Sequence, residues 1–337
     1  MEFTVGGRLE VRIGAGDVGK RVSVRSLTGS GEGAALTDTV GVLTSWTDGV
    51  LSITRRGGES VRIAEAALVA GKVVPAAPAR RRGPAASVRE LSEVAARGWP
   101  AAETRRLGRW VLRASGGFTG RANSVLPLGD AGVGLDEALE LTTRWYGERG
   151  LPALVRVTTG GADSDELLAA ELDRRGWTAE RFTTVRTGAL APLADRDPDA
   201  RVRLSRQPEA GWLQAYGRIG PGPADAALRV LTGGPSVWFA TVPGGDGGDG
   251  VCAPAAIGRC VVDGRWAGFA AVEVAPARRR RGLATAVMAE LARAALAEGA
   301  SAAYLQAERD NEAARALYDR LGFADHHSYH YRRAPHG

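Results

Sequence analysis

The residues whose types and spacing most clearly point to chemistry lie in one stretch, Val272-Glu-Val-Ala-Pro-Ala-Arg-Arg-Arg-Arg-Gly-Leu-Ala284. A β-branched strand stops at Pro276, which cannot donate a ladder hydrogen bond, and an alanine-rich helix with Leu283 on its apolar face begins soon afterwards. Such a turn presents unpaired N–H groups at the positive end of a helix dipole. Gly282 allows close backbone approach, and Arg279 and its neighbours add charge-assisted hydrogen bonds. The stretch predicts an anion site suited to a pyrophosphate.

A second stretch, residues 305–323, predicts a strand followed by a helix over 311–320. Asn311 and Tyr318 are seven residues apart, so they lie two turns apart on one helix face, about 10 Å along the axis. Asn311 is also an ordinary helix N-cap, and Tyr318 also fits as a core aromatic beside Leu321. One side of this helix is therefore placed to follow a bound ligand.

The remaining chain divides into segments that must position these residues. Residues 1–74 predict a small antiparallel barrel of close-set strands, with turns such as Thr47-Asp48-Gly49. Residues 75–86 are a linker rich in proline and arginine. Helices and strands then alternate through residues 87–192 and again through residues 201–333. The predicted fold class is α+β.

The two alternating series resemble an internal repeat. Gly299, at the end of a predicted helix, stands 149 residues after Gly150. The motif Asp319-Arg-Leu-Gly-Phe323 stands 146 residues after Asp173-Arg-Arg-Gly-Trp177. The spacing predicts two copies of one fold.

The spacing Arg279-x-x-Gly282-x-Ala284, followed in order by the strand and helix of residues 305–323, resembles the acyl-CoA-binding signature of the GNAT superfamily of N-acetyltransferases. The resemblance covers residues 201–333. The whole arrangement resembles, more loosely, the tandem GNAT proteins of high-GC bacteria. It implies a C-terminal GNAT acyl-CoA N-acyltransferase fold, preceded by a degenerate GNAT-like half at 87–192 and an SH3-like β-barrel, with acetyl-CoA as co-substrate and no metal.

The resemblance also implies roles for individual residues. The backbone of Val272 to Val274 would pair with the pantetheine arm, Asn311 would contact it, and Tyr318 would be the general acid that protonates the CoA thiolate. The pyrophosphate would be held beside Arg279 by the N–H groups of Arg280, Arg281, Gly282, Leu283, Ala284 and Thr285.

A general base is needed most for an amine with a high pKa. Glu273 and Glu308 are the candidates, with water as a relay, but strand alternation decides which of them faces the site. Some relatives have a glutamate where Gln306 stands, so an amide has replaced one candidate base.

The first series lacks the chemical groups of the second. Ala131 stands in place of Arg279 and Leu172 in place of Tyr318, while Asp130 adds negative charge where phosphates would bind. Residues 87–192 are therefore expected to pack against the active half and to wall its acceptor groove. Its large aromatic residues are assigned to its core, namely Trp145, Tyr146 and Trp177.

Two further groups of residues allow more than one interpretation. His326, His327 and His330 could suggest a metal, but strand alternation and the absence of an adjoining cysteine or aspartate cluster favour packing or solvation. Trp212 and Tyr216 are four residues apart on a predicted helix, where they either border the acceptor site or pack in the core.

Composition narrows the class of protein. The 337 residues carry a net charge of +6, but Lys20 and Lys72 are the only lysines, and this arginine bias does not favour nucleic acid as a partner. No apolar run approaches the roughly 18 residues of a membrane-spanning helix, and no basic patch leads into an apolar stretch near residue 1. We expect a cytoplasmic protein that binds no membrane, with Cys252 and Cys260 as reduced thiols.

Two functions that depend on acyl-CoA fit these features, and nucleic-acid binding through the barrel is a third possibility. The first is an acetyl-CoA-dependent N-acetyltransferase that transfers an acetyl group to a primary amine by direct attack in a ternary complex. Its acceptor is a small-molecule amine or a peptide or protein amine. The alternative is a non-catalytic acyl-CoA-binding sensor or scaffold whose N-terminal barrel binds a protein partner. Only the enzyme requires Tyr318 for turnover.

Overall fold

The computed structural model describes residues 10–28, 35–75, 84–219, 224–244 and 253–335. Most of the predicted linker at 75–86 and Cys252 lie outside these residues. Cys260 is buried, and burial raises the pKa of its thiol to about 12, so it is a neutral core residue.

The first sheet along the chain is small and antiparallel. Its strands are β1 (Arg21–Thr28), β2 (Ala35–Thr47), β3 (Val50–Thr54), β4 (Ser60–Ala64) and β5 (Leu68–Val73), in the order β4-β3-β2-β1-β5. Alternate side chains are fully buried inside it, among them Val22, Val24, Leu43, Leu51 and Ile53. The prediction of a small N-terminal β-barrel is confirmed.

The next series of elements spans residues 88–194. It consists of α1 (Val88–Arg97), β6 (Glu103–Leu107), β7 (Trp110–Ala114), β8 (Leu126–Pro127), α2 (Leu135–Gly147), β9 (Leu154–Thr159), α3 (Glu166–Arg174), β10 (Thr178–Ala189) and α4 (Ala191–Ala194). Trp145, Tyr146 and Trp177 are buried in its core, as predicted.

The last series spans residues 203–333. It consists of β11 (Arg203–Ser205), α5 (Ala210–Ala215), α6 (Ala224–Thr232), β12 (Ser236–Val242), β13 (Ala256–Asp263), β14 (Trp266–Val274), α7 (Leu283–Ala297), β15 (Ala302–Glu308), α8 (Glu312–Arg320) and β16 (Ala324–Arg333). No helix in the described part of the chain is both long and apolar enough to cross a membrane.

The two series repeat one order of elements, as the sequence predicts. The order β8-α2-β9-α3-β10 returns as β14-α7-β15-α8-β16. Helix α7 begins 148 residues after α2, at Leu283 against Leu135, and α8 begins 146 residues after α3, at Glu312 against Glu166.

The two halves exchange their last strands. The large sheet has the order β11-β12-β13-β14-β15-β10-β16-β9, so β10 of the first half pairs with β15 of the second, and β16 of the second pairs with β9 of the first. Strands β10 and β16 also pair with each other, antiparallel. Each half therefore completes the sheet of the other.

The sheet continues through main-chain bonds into the three strands β6, β7 and β8. The Val125 N–H donates to the Leu154 carbonyl at 2.8 Å, and the Arg156 N–H donates to the Val125 carbonyl at 3.0 Å. These bonds join the two sheets at β9, where the bridge between Val125 and Val155 is parallel.

The histidines of β16 lie where the N-terminal barrel meets this sheet. Arg56 of the barrel donates to the carbonyls of Asp325 and His326 at 3.1 and 3.0 Å. His330 stacks on Phe182 at a centroid distance of 4.8 Å, and burial lowers the pKa of its imidazole to about 3. No metal-binding group of three or more such side chains occurs among the described residues. The stacking on Phe182 supports the packing interpretation for His330.

We expect residues 199–335 alone to fail to fold, because β15 and β16 would lose β10 between them and expose two sheet edges. Residues 84–335, which keep both halves, should give one cooperative thermal transition by circular dichroism. A cooperative transition in the shorter chain would contradict this dependence of each half on the other.

Candidate functional site

The site begins where two parallel strands stop pairing. Strands β14 and β15 are hydrogen-bonded from Trp266 and Ala302 as far as Phe269 and Leu305. Beyond this point β14 pairs only with β13, whereas β15 continues along β10 to Glu308. The main-chain groups of residues 270–274 on the edge toward β15 therefore have no ladder partner among the described strands.

A β-bulge causes this separation. The register between β13 and β14 shifts so that Ala271 and Val272 together lie opposite Gly258. Ala271 has a φ of 52°, which an alanine adopts only where the surrounding structure holds it. A Cβ atom at Gly258 would lie 2.4 Å from Val287 of α7, so the glycine allows α7 to pack directly on the bulge. The bulge bends β14 where its pairing with β15 ends, and the unpaired strand edges of residues 270–274 and 306–308 are called the cleft below.

The strand residues named from the sequence lie along this cleft. Val272 and Val274 pack against the core under α7, together with Leu283 and Leu305. Glu273, between them, therefore points to the opposite face of the sheet. Its cross-strand partner is Ile257, which packs with the buried aromatic residues of that opposite face.

The turn after β14 presents a row of free N–H groups. Helix α7 begins at Leu283, and its first internal bond runs from the Ala286 N–H to the Gly282 carbonyl at 3.0 Å. Within the described residues, no acceptor meets the N–H groups of residues 280–285. Gly282 has a φ of 75°, and a Cβ there would meet nothing within 4 Å, so this end of the helix is open to a ligand.

Four arginines surround this row without acidic partners. Residues 278–281 are exposed, and none forms an ion pair with a carboxylate in the part of the chain that the structure describes. Arg278 donates to the Gly244 carbonyl at 2.8 Å, and Arg279 donates to the Val274 carbonyl at 3.4 Å. The turn therefore keeps its positive charge available for an anion.

Helix α8 presents the other two predicted residues. The Asn311 side chain accepts the Ala314 N–H at 3.0 Å, so it is the N-cap, as one of the two interpretations predicts. Tyr318 is half-buried against the same core as Val272, with its ring 6.0 Å from that of Phe323. Burial raises the pKa of Tyr318, and Arg186 and Arg218 only partly oppose this. The phenol is therefore protonated at neutral pH.

The two candidate bases lie in different surroundings. Glu273 is half-buried on the face of the sheet that carries Tyr216, while Glu308 is exposed and pairs with Arg218 at 3.3 Å. Trp212 and Tyr216 are buried, which favours the core interpretation for both. Burial raises the pKa of the Tyr216 phenol, and the Glu273 charge adds to this rise.

Three residues of the first half lie on the face of the sheet that carries Tyr216, which the sequence did not predict. Trp99 stacks on Phe118 at 6.2 Å between centroids, and Phe118 meets Tyr216 edge-on at 6.4 Å. The Arg121 guanidinium lies 4.1 Å above the Trp99 ring. Because Phe118 and Tyr216 are far apart along the chain, no local pattern in the sequence indicates that they are in contact.

The equivalent turn of the first half differs in charge. Helix α2 follows Gly134, but its first turn carries Asp136 and Glu137. The Asp130 carboxylate accepts the Gly132 N–H, and Leu172, at the position of Tyr318, is fully buried in the core. Negative charge at the start of α2 opposes phosphate binding.

Comparison with solved structures identifies the fold. A GCN5-related N-acetyltransferase from Kribbella flavida aligns over 75% of this chain and 98% of that chain, with 15% identity and a TM-score of 0.54. A tandem GNAT protein from the clavulanic acid biosynthesis pathway aligns over 76% and 91%, with 16% identity and a TM-score of 0.48. The first of these likenesses shows a GNAT acetyltransferase fold.

Residues 85–332 match the family model described as "Probable histone acetyltransferase Rv0428c C-terminal", and residues 16–72 match "Rv0428c N-terminal Sm-like domain". The chain belongs to this acetyltransferase family, with a Sm-like barrel at the position of the predicted SH3-like one.

A coproporphyrinogen III oxidase of Mycobacterium tuberculosis is 31% identical over 123 residues, which are 36% of this chain and 24% of that protein. The chain thus spans about a quarter of the length of the curated relatives it matches.

We expect Ala284→Pro to weaken acetyl-CoA binding about tenfold, because proline removes one N–H of the row yet is tolerated in the first turn of a helix. The matched control is Asp136→Pro, at the second residue of α2. Calorimetry should show unchanged affinity in that control. Equal affinity of Ala284→Pro and the wild-type protein would exclude this N–H from the anion site.

Proposed function

We propose that this protein is an acetyl-CoA-dependent N-acetyltransferase that acts on a primary amine by direct attack in a ternary complex. The observation that carries the proposal is the row of free N–H groups at residues 280–285 beside the cleft between β14 and β15. A diphosphate needs such donors, and an extended arm with amide groups needs the strand edge.

In this proposal residues 201–333 form the catalytic half. The N–H groups from Arg280 to Thr285 hold the diphosphate, and the arginine side chains, with Arg279 nearest to β14, neutralise it. The main chain of Val272 to Val274 pairs with the pantetheine arm, and the Asn311 amide nitrogen, which the helix cap leaves free, donates to the same arm. Residues 87–192 form a half that binds no CoA.

The chemistry is a direct displacement. The amine nitrogen attacks the thioester carbonyl carbon, a C–N bond forms, and the C–S bond breaks. The Tyr318 hydroxyl has no hydrogen-bond partner among the described residues and holds its proton at neutral pH, so it can deliver that proton to the sulfur. Holding the two substrates together supplies much of the acceleration without a covalent enzyme intermediate.

The amine must lose a proton before attack. A lysine-like amine with a pKa near 10.4 requires roughly 4.6 kcal/mol for this at pH 7, whereas an α-amine with a pKa near 8 requires about 1.4 kcal/mol. We assign the base to Glu273, directly or through water, because it faces the side of the sheet opposite α7 and no ion pair engages it in the described residues. Glu308 is engaged by Arg218.

We expect Tyr318→Phe to lower kcat by about 10² or more while leaving the Kd for acetyl-CoA unchanged, because only the departing sulfur needs the hydroxyl proton. A thiol-release assay with an amine panel and calorimetry with acetyl-CoA measure the two quantities. Undiminished turnover would remove Tyr318 from the mechanism. Binding without turnover in the wild-type protein would favour the CoA-binding sensor.

We expect Glu273→Gln to reduce turnover at pH 7 by about 10- to 100-fold and to reduce it less as the pH approaches the pKa of the amine. Above that pH the amine is already neutral and needs no base. A pH profile of kcat/KM from 6 to 10 measures this. Glu308→Gln is the control, and a larger loss in that variant would move the base to Glu308.

A further inference from the structure

Arg121 stands out among the arginines on the face of the sheet that carries Trp99 and Tyr216, because its hydrogen-bonding groups are unused. Arg259 is buried and donates to the carbonyls of Leu231, Gly98 and Gly233 at 2.6, 3.0 and 2.7 Å. Arg218 is paired with Glu308. The Arg121 guanidinium, by contrast, has neither a hydrogen bond nor a carboxylate partner among the residues that the structure describes.

Arg121 lines a narrow recess, with room for about one water molecule, at the point where β14 and β15 part. Phe269 and Ala270, at the end of the paired part of β14, line the same recess, and so does Gln306, the first residue of β15 beyond the paired part. The end of this ladder is also where the cleft proposed for the pantetheine arm begins. The acceptor amine must approach the thioester from this face, because α7 covers the other one.

The recess is rich in donors and contains no acid. The Gln306 carbonyl oxygen accepts the Tyr329 hydroxyl at 2.7 Å, so the amide nitrogen of Gln306 is left to donate. No aspartate or glutamate lines the recess in the described part of the chain. A guanidinium stacked on an indole keeps the N–H groups along its edge free, and that edge matches a carboxylate in a two-bonded arrangement.

We propose that the acceptor is a small amine that carries a carboxylate near its amino group, and that Arg121 is the specificity residue that binds this carboxylate. The inference rests on the proposed transferase function and names the substrate class of that site. Arg121 comes from the first half, so the half without CoA-binding features supplies the contact that selects the acceptor. A lysine in a basic peptide would instead bring further positive charge toward Arg121.

The test compares amino acids with their amides. Glycine, β-alanine and 4-aminobutyrate are paired with the corresponding amides, a lysine-containing basic peptide is added, and kcat/KM is measured with acetyl-CoA for the wild-type protein and Arg121→Gln. For each pair, the acid-to-amide ratio of kcat/KM in Arg121→Gln is divided by the same ratio in the wild-type protein. This division cancels the intrinsic reactivity of each amine. We expect this ratio to fall about 10- to 100-fold for at least one pair, with an unchanged Kd for acetyl-CoA.

Arg121→Lys keeps the charge but loses the two-bonded geometry, so it should retain an intermediate ratio. Arg106→Gln, an exposed position on β6, is the matched control and should leave the ratio unchanged. Equal losses of kcat/KM for acid and amide in Arg121→Gln would overturn this inference but not the transferase function. The same holds for a wild-type preference for the amides or for the lysine peptide. Tight acetyl-CoA binding with no turnover of any amine would overturn the transferase function and this inference with it.

Discussion

The early end of the ladder between β14 and β15 is the constraint on which the rest of the structure depends. Main-chain donors and acceptors need partners, and here a bulge at Ala271 and Val272 deprives one strand edge of them. The N–H groups at the start of α7 are in the same situation a few residues later. One ligand with both an amide-containing arm and a diphosphate would satisfy both sets, which is why the two features belong together.

The exchange of last strands explains why a half without CoA-binding features accompanies the half that we propose to be catalytic. Strand β10 lies between β15 and β16, so the sheet that holds the cleft is complete only with residues of the first half. Trp99, Phe118 and Arg121 then lie on the face that we propose for the acceptor. The replacement of Arg279 and Tyr318 by Ala131 and Leu172 therefore leaves the structural contribution of this half intact.

Local patterns in the sequence predicted several structural features around the proposed site. The strand stop at Pro276, the turn at Gly282 before a helix and the cap at Asn311 each follow from the residue itself and its neighbours. The repeat was also visible, because both copies keep the same spacing of helix ends. These features depend on contacts within a few residues, which a single sequence records.

Features that depend on distant contacts were not predictable. Pairing of β10 with β15 gives the same pattern of alternation as pairing within one half, so the strand exchange leaves no mark in the sequence. Strand β6 has mostly charged, exposed residues and no apolar alternation, and was missed for that reason. Arg121 resembles any other arginine in a chain with this composition until its position over Trp99 is known.

Amide chemical shifts test the central claim most directly. The measurement compares the backbone amides of residues 280–285 in the full chain with acetyl-CoA and with acetyl-pantetheine, which lacks the diphosphate. We expect downfield proton shifts of these amides with acetyl-CoA only, while the amides at the start of α2 stay unchanged. Shifts that are absent at residues 280–285, or equal with both ligands, would contradict this claim.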